Sequence, residues 1–125
     1  MKTLIVEDES LQLLEHGYEI LALGLECTCY SDTATALEAY RQTFHPLIVT
    51  DLELSGMDGL EFCRHIRALP QGEHSMILMM SGRSKSEDLL TAFAAGADDY
   101  LIKPVTPELL RSRLKVLTQR FYRWS

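Results

Sequence analysis

The sequence contains little positive charge and no long hydrophobic run. It has 12 Lys and Arg residues against 18 Asp and Glu, a formal net charge of −6. Because phosphate backbones attract basic surfaces, this balance argues against a nucleic-acid interface within the chain. No stretch of about 18 apolar residues is present, so no segment is predicted to span a membrane. The first residues also lack a basic region followed by an apolar core, which argues against a secretory signal and favours a cytoplasmic location.

Cysteine is scarce and lacks the spacing of a metal or redox motif. The 3 cysteines are Cys27, Cys29 and Cys63, and none forms a Cys-x-x-Cys pair. Cys27 and Cys29 alternate around Thr28, as on one face of a strand. We expect all three to be packing residues in a reducing compartment, rather than ligands or a disulfide.

What the sequence does contain is an alternation of short apolar runs and helical patterns over 125 residues, the length of one domain. Strands are predicted at Lys2–Val6, Glu26–Tyr30, Leu47–Thr50, Met76–Met80 and Asp99–Ile102. Helices are predicted at Ser10–Leu23, Thr33–Thr43, Asp58–Leu69, Lys85–Ala95 and Pro107–Tyr122. This alternation indicates an α/β fold with parallel strands, and an eight-fold barrel would need about 250 residues. We therefore predict a flavodoxin-like (βα)5 domain, with a five-stranded parallel sheet of order 2-1-3-4-5 and helices on both faces.

Two of the predicted helices carry apolar stripes. In the first helix the stripe is amphipathic and consists of Leu11, Leu14, Tyr18, Leu21 and Leu25. In the last helix the stripe consists of Leu110, Leu114, Leu117, Phe121 and Trp124. The second stripe covers only two heptads, too few to predict a coiled coil. Its inner part is expected in the core, and its aromatic end indicates a dimer contact or a helix that leads to an output domain outside this chain.

Acidic residues follow the first and third strands at the points where these strands end. Glu7 and Asp8 come after the first strand, and Asp51 comes directly after the third. In a sheet of this order the two strands are neighbours, and ligands bind beyond their carboxyl ends. Three close carboxylates repel one another, and a hard divalent cation such as Mg²⁺ relieves the repulsion. An alternative is that Asp8 and Ser10 only cap the first helix.

Two further strands end in groups that complement this acidic cluster. The fourth strand leads to Ser81 and the fifth to Lys103. Each could be an ordinary loop or surface residue if it stood alone. Together with a nucleophilic Asp51, Ser81 and Lys103 are the kinds of side chain that phosphoryl transfer uses. In that reaction the protein contributes positioning and charge neutralisation. A carboxylate nucleophile would form an acyl phosphate.

The chain contains five short motifs whose order and spacing are informative when they are taken together. They are Leu4–Glu9, Val49–Leu52, Gly56–Glu61, Met80–Gly82 and Gly96–Pro104. Through them the chain resembles the receiver domain of two-component response regulators, from residue 2 to about residue 120. The resemblance implies a receiver domain over 1–120. Residues 121–125 are expected to form a C-terminal helix extension, which could lead to an output domain outside this chain.

The resemblance also implies the chemistry. Asp51 would accept a phosphoryl group from a phosphohistidine on a sensor histidine kinase or a histidine phosphotransfer protein. The chain would catalyse its own phosphorylation and dephosphorylation but serve mainly as a signalling switch in a phosphorelay. Mg²⁺ would be coordinated by Asp8 and Asp51, by Glu7 through water, and by the backbone carbonyl of Glu53.

The remaining implied roles belong to the switch. Ser81 would donate a hydrogen bond to a phosphoryl oxygen and Lys103 would pair with another, with the Lys103–Pro104 bond expected to be cis. Tyr100 would be the switch aromatic. Its movement would remodel the face made by the fourth helix, fifth strand and fifth helix, which would contact an output domain, a partner protein or a second copy.

Two residues beside the site, Glu53 and Arg83, are expected to tune the lifetime of the phosphorylated state. Their opposite charges could pair, screen Asp51 from water and prolong that state. The alternative is that both side chains are solvated independently.

Three other classes of protein compete with the receiver interpretation. A haloacid-dehalogenase-like phosphatase also places Asp after a strand, but on the first strand and with a second Asp where this chain has Glu53. A flavodoxin-like cofactor binder would need a phosphate loop where Glu7 and Asp8 stand. A degenerate receiver acting only as an interaction module would lack some of the key side chains, all of which are present.

Overall fold

Strands and helices alternate along the chain as predicted. In the computed structural model, which describes residues 1–124, the elements are β1 (Lys2–Val6), α1 (Ser10–Ala22), β2 (Glu26–Tyr30), α2 (Thr33–Gln42), β3 (Leu47–Asp51), α3 (Gly59–Ala68), β4 (Met76–Ser81), α4 (Ser86–Ala95), β5 (Asp99–Ile102) and α5 (Pro107–Trp124). A short 3₁₀ helix at Gly72–His74 was not predicted. The last residue of the predicted extension, Ser125, lies outside the described residues.

The five strands form one parallel sheet of order β2-β1-β3-β4-β5, which confirms the predicted topology. Every residue of β3 and β4 is buried, as expected for strands covered by helices on both faces. One apolar layer lies between the sheet and helices α2, α3 and α4. The other lies between the sheet and helices α1 and α5.

Strands β3 and β4 are each one residue longer than predicted. The added residues are Asp51, which pairs with Met80, and Ser81, which pairs with Ile102. Both polar side chains are therefore held by the sheet itself rather than by a loop. This placement fixes the edge of the sheet at which the site forms.

The apolar stripe of α1 exists, but most of it faces solvent. Leu11, Leu14, Tyr18 and Leu21 are 59 to 72% exposed. The buried side of the helix instead consists of His16, Gly17, Glu19 and Ile20. A polar contact helps to set this orientation, because Glu19 forms an ion pair with Arg111 of α5.

Helix α5 buries the inner part of its stripe as predicted and continues beyond it. Leu110, Leu114 and Leu117 are buried, whereas Trp124 is 70% exposed. The ring of Phe121 packs against Phe44, with centroids 6.3 Å apart. Within residues 1–124, no helix combines the length and the apolar character that crossing a membrane would require.

The start of α3 packs closely against the end of β3. The Gly59 amide donates a hydrogen bond to the Leu52 carbonyl at 2.9 Å. A Cβ atom at residue 59 would lie only 2.9 Å from the Leu52 Cα and would also collide with the backbone carbonyl of Asp51. Glycine at this position therefore lets the helix approach the backbone that carries Asp51.

We expect Gly59→Ala to lower the free energy of unfolding by about 1–3 kcal/mol, because α3 must move away from the sheet to make room for the methyl group. Urea unfolding followed by circular dichroism measures the change. Gly82→Ala is the matched control, since a Cβ there would meet no atom within 4 Å. The control should change stability by less than about 0.5 kcal/mol. Equal effects of the two substitutions would contradict the close approach.

Candidate functional site

Three carboxylates meet where β1 and β3 end. Glu7 and Asp8 follow β1, Asp51 ends β3, and the two strands are hydrogen-bonded neighbours. One ligand oxygen from each residue lies within 4.8 Å of the others. Glu7 is 1% exposed and Asp51 4%, whereas Asp8 is exposed. The predicted convergence of these residues is thus present, and the cluster could hold a metal ion through three carboxylate oxygens.

Asp8 is not needed to cap α1. The cap is Glu9, whose carboxylate accepts hydrogen bonds from the amides of Leu11 and Gln12 at 3.3 and 2.8 Å. The alternative that Asp8 and Ser10 only cap the helix is therefore wrong, because Glu9 already satisfies those amides. The Asp8 carboxylate accepts one contact from the side chain of Ser55, at 3.4 Å.

Lys103 supplies the positive charge beside the cluster. Its Nζ lies 2.6 Å from Asp51 Oδ1 and 3.7 Å from Glu7 Oε1. Burial disfavours the ammonium, but its contact with Asp51 and the negative charges of Asp51 and Glu7 outweigh this effect and raise the pKa of Lys103. Lys103 thus stays charged, and it offsets only one of the three negative charges.

Glu7 shows how incompletely the cluster is neutralised. Neither of its carboxyl oxygens has a hydrogen-bond partner among the described residues. Burial, followed by the close Asp51 carboxyl, raises the pKa of Glu7 to about 8, although the charge of Lys103 acts in the opposite direction. Without a further cation, Glu7 is therefore largely protonated at neutral pH, and a bound cation would favour its ionised form.

Ser81 lies at the centre of a second network, which sequence reasoning did not find. Its Oγ donates a hydrogen bond to Glu53 Oε1 at 2.6 Å and accepts one from the Arg83 amide at 3.0 Å. The Arg83 Nε lies 3.4 Å from the same Glu53 oxygen. The Tyr100 hydroxyl donates to the Arg83 carbonyl at 2.8 Å, and Tyr100 is 7% exposed. A continuous chain of contacts therefore joins Glu53, Ser81, Arg83 and Tyr100.

The pairing of Glu53 with Arg83 agrees with the sequence-based hypothesis, but the bond to Ser81 was unexpected. The order of the strands could have indicated the bond between Ser81 and Glu53, since Glu53 follows β3 by two residues and Ser81 ends the adjacent β4. The Lys103–Pro104 peptide bond is cis, as expected. The use of the Glu53 carbonyl as a metal ligand stays a prediction.

Comparison with known proteins identifies the relatives of this arrangement. The family model described as "Response regulator receiver domain" matches residues 3–115. The two-component response regulator PhoP of Pseudomonas aeruginosa is 40% identical over 121 residues, which cover 96% of this chain and 52% of that protein. The chain spans about half the length of the first curated relatives it matches.

Shorter relatives match over nearly their full length. The chemotaxis protein CheY-3 of Vibrio cholerae is 31% identical, and the match covers 96% of this chain and 93% of that protein. The solved structure of the chemotaxis response regulator CheY4 of Vibrio cholerae superposes with a TM-score of 0.88 at 27% identity. That superposition covers 93% of this chain and 97% of the other.

We expect Glu7 to make a contribution to the stability of the metal-free protein that falls as pH rises from about 4.5 to about 8. In this window the folded state holds a proton on Glu7 that the unfolded state has released, because the folded pKa is raised from 4.5 to about 8. Each unit of pKa difference corresponds to about 1.4 kcal/mol. Urea unfolding in the presence of EDTA at several pH values measures the dependence.

Glu7→Gln should reduce this pH dependence, since the amide does not titrate. Glu38→Gln, which removes a largely exposed carboxylate on α2, is the control and should keep the wild-type slope. A Glu7→Gln protein with an unchanged slope would contradict the assignment of the effect to Glu7.

Proposed function

This chain belongs to the response regulator receiver domains, the phosphorylation-dependent switches of two-component signalling, and we propose that Asp51 is its phosphoryl acceptor. The observation that carries this proposal is the position of Asp51, at the end of β3 between the acidic residues Glu7 and Asp8 and the ammonium of Lys103. The side chain combines a nucleophilic oxygen with neighbours that can neutralise an incoming phosphate.

We propose that the acidic cluster holds Mg²⁺. Carboxylate oxygens of Asp8 and Asp51 and the Glu53 backbone carbonyl, with Glu7 acting through a water molecule, match the preference of this hard ion, which also retains several waters. The unpartnered oxygens of Glu7 support the proposal. When bound, Mg²⁺ offsets negative charge on the carboxylates and on a phosphoryl oxygen.

In the proposed transfer, an Asp51 carboxylate oxygen attacks the phosphorus of a phosphohistidine. The new P–O bond forms as the P–N bond breaks, and the electron pair of that bond stays on the imidazole nitrogen. Lys103, already 2.6 Å from Asp51, pairs with a phosphoryl oxygen as the negative charge grows. The product is an acyl phosphate on Asp51.

The Ser81 network suggests how the phosphoryl group acts on the rest of the domain. In the unphosphorylated chain the Ser81 hydroxyl proton is donated to Glu53. Phosphorylation adds about −1.5 to −2 charge and three acceptor oxygens, which compete with Glu53 for this proton. A shift of Ser81 moves the Arg83 backbone, to which the Tyr100 hydroxyl is bonded. The result would be a population shift between two packings of Tyr100.

We further propose that a sensor histidine kinase or a histidine phosphotransfer protein supplies the phosphoryl group. The α4–β5–α5 face would pass the change to an output domain, a partner protein or a second copy. Exposed apolar side chains on this face, Leu90, Phe93 and Ile102, support this proposal. Residues 121–124, the end of α5, would form the helical continuation toward the output region. The phosphatase alternative has less support, because the carboxylate of Glu53 is held by Ser81 and Arg83.

Asp51→Asn should abolish phosphorylation. Wild-type protein incubated with acetyl phosphate and Mg²⁺ should gain one phosphoryl group by intact-protein mass spectrometry, and the variant should gain none, since an amide cannot form the acyl phosphate. Removal of the metal with EDTA should likewise abolish the adduct on wild-type protein.

Asp32→Asn is the matched control for this experiment. Asp32 caps α2 through the Thr35 amide, and Asn is an equally good cap, so this variant should be phosphorylated like wild type. Phosphorylation that persists in Asp51→Asn would refute the assignment of the acceptor. Steady release of phosphate from simple phosphate esters would instead support the phosphatase alternative.

We propose that Glu53 and Arg83 together slow hydrolysis of the acyl phosphate by screening Asp51 from water. Glu53→Ala and Arg83→Ala should each speed autodephosphorylation by about two- to fivefold, the range that corresponds to the loss of a partly exposed ion pair. The decay of the phosphorylated species after removal of acetyl phosphate measures the rate.

Arg64→Ala removes an exposed guanidinium on α3 and should leave the decay rate unchanged. If neither Glu53→Ala nor Arg83→Ala hydrolyses faster than wild type, the screening role is wrong.

A further inference from the structure

Two cysteine sulfur atoms lie side by side on the edge strand β2. The Sγ atoms of Cys27 and Cys29 are 3.5 Å apart, and both cysteines are free thiols. They share one side of the strand because they are two residues apart. Only Cys63 is buried, whereas Cys27 is partly exposed and Cys29 exposed, so the expectation that all three are packing residues is wrong for Cys29. An exposed thiol beside a second thiol calls for another explanation.

Helix α1 leaves space open beside the two sulfur atoms. Gly17 lies in the middle of this helix, where glycine is less favourable than alanine. A Cβ atom at residue 17 would lie 3.5 Å from the Cys29 Sγ and 4.0 Å from the Cys27 Sγ. These are ordinary van der Waals distances, so alanine would be tolerated. Glycine therefore keeps a space next to both sulfurs that a side chain could have filled.

This space belongs to a groove between α1 and β2 of about 400 Å³. Its walls are mainly apolar, and they are formed by Leu13, Leu14, Tyr18 and Leu21 of α1, with Ser10 at the start of the helix. Leu14, Tyr18 and Leu21 are largely exposed, so the groove opens to solvent. A small ion can therefore reach the thiols, and apolar walls then surround it.

We propose that Cys27 and Cys29 together bind a soft monovalent metal ion, Cu(I). A Cu(I) ion held by two thiolates is two-coordinate, with the sulfurs on opposite sides of the ion. At a metal–sulfur distance of about 2.3 Å the sulfurs would lie roughly 4.6 Å apart. The sulfurs of Cys27 and Cys29, now 3.5 Å apart, would reach this separation by rotation of the two side chains. Thiolates favour Cu(I), zinc and iron–sulfur clusters over hard cations. The two neighbouring sulfurs on β2 can therefore both bind the same ion.

The number of ligands distinguishes Cu(I) from zinc. Within residues 1–124, the one group of three or more potential metal-binding side chains is the cluster of Glu7, Asp8 and Asp51. The cysteine pair therefore has no third protein ligand of this kind, whereas structural zinc sites use four. Cu(I) is stable with two thiolates. Each thiol releases its proton to solvent as its sulfur binds the ion, so two protons leave for each ion bound.

Metal binding and disulfide formation both require the thiolate, so each depends on the loss of a proton from Cys27. Burial, followed by the hydrogen bond to Cys29 and its charge, raises the pKa of Cys27 to about 12. Because the thiolate is the nucleophile in disulfide formation, such a thiol attacks slowly at neutral pH. A bound cation relieves the repulsion between two neighbouring thiolates, as a cation does for the acidic cluster.

Titration of the full chain with Cu(I) tests this proposal. The measurement is made without oxygen, with ascorbate to keep copper monovalent and bicinchoninate as the competing chelator. Wild-type protein should withdraw one Cu(I) per chain from the chelator. Cys27→Ser and Cys29→Ser should each weaken binding at least tenfold, whereas Cys63→Ser, which removes the buried thiol of α3, should bind like wild type. Circular dichroism checks that every variant is folded.

Gly17→Ala distinguishes an effect on metal binding from an effect on the stability of the fold. The methyl group should raise the thermal midpoint, because alanine favours the helix, and should weaken Cu(I) binding, because it occupies the space beside the sulfurs. Both changes together would support the proposed location. Binding that is unchanged in Cys27→Ser, Cys29→Ser or Gly17→Ala, or lost equally in Cys63→Ser, would overturn the proposal, and so would tighter binding of Zn(II) than of Cu(I).

Discussion

The repulsion among three carboxylates at the ends of β1 and β3 is the constraint on which the rest of the site depends. Two of them, Glu7 and Asp51, are almost completely buried, and Lys103 supplies a single opposing charge. Burial makes the imbalance costly, because charges in a protein interior are poorly screened. The folded chain can respond by keeping a proton on Glu7 or by binding a cation, and in the proposed function the second response prepares Asp51 for an incoming phosphate.

This imbalance is coupled to the rest of the molecule through Glu53. Its carboxylate adds a further negative charge beside the cluster, but Ser81 and Arg83 hold it to one side. The hydroxyl that would serve a phosphoryl oxygen is therefore already engaged, and Tyr100 is already turned inward through its bond to Arg83. In the unphosphorylated protein, Glu53 accepts the hydrogen bond from Ser81 that a phosphoryl oxygen would accept after phosphorylation. In the proposed switch, phosphorylation exchanges one negatively charged partner of Ser81 for another.

The helices on the two faces of the sheet pack against it in different ways. On the side of α2, α3 and α4, apolar residues fill the layer, and Gly59 allows α3 to approach the backbone of Asp51. On the other side, α1 turns most of its apolar stripe outward and joins α5 through the ion pair between Glu19 and Arg111. The space under Gly17, with two thiols beside it, exists because α1 lies in this orientation. The usual assumption that an apolar stripe marks the buried face of a helix therefore fails for α1.

Local patterns in the sequence were sufficient for the order of elements, the parallel sheet and the identity of the residues that follow each strand. Short apolar runs that end in Glu7, Asp51, Ser81 and Lys103 determine which side chains reach the edge of the sheet, because the carboxyl ends of parallel strands meet there. Contacts between residues distant in sequence were decided only by tertiary packing. The bond from Ser81 to Glu53 and the outward rotation of α1 depend on how neighbouring elements approach one another. The cap of α1 by Glu9 is a local contact, but several nearby side chains could have capped this helix. Only the three-dimensional geometry selects among such competing side chains.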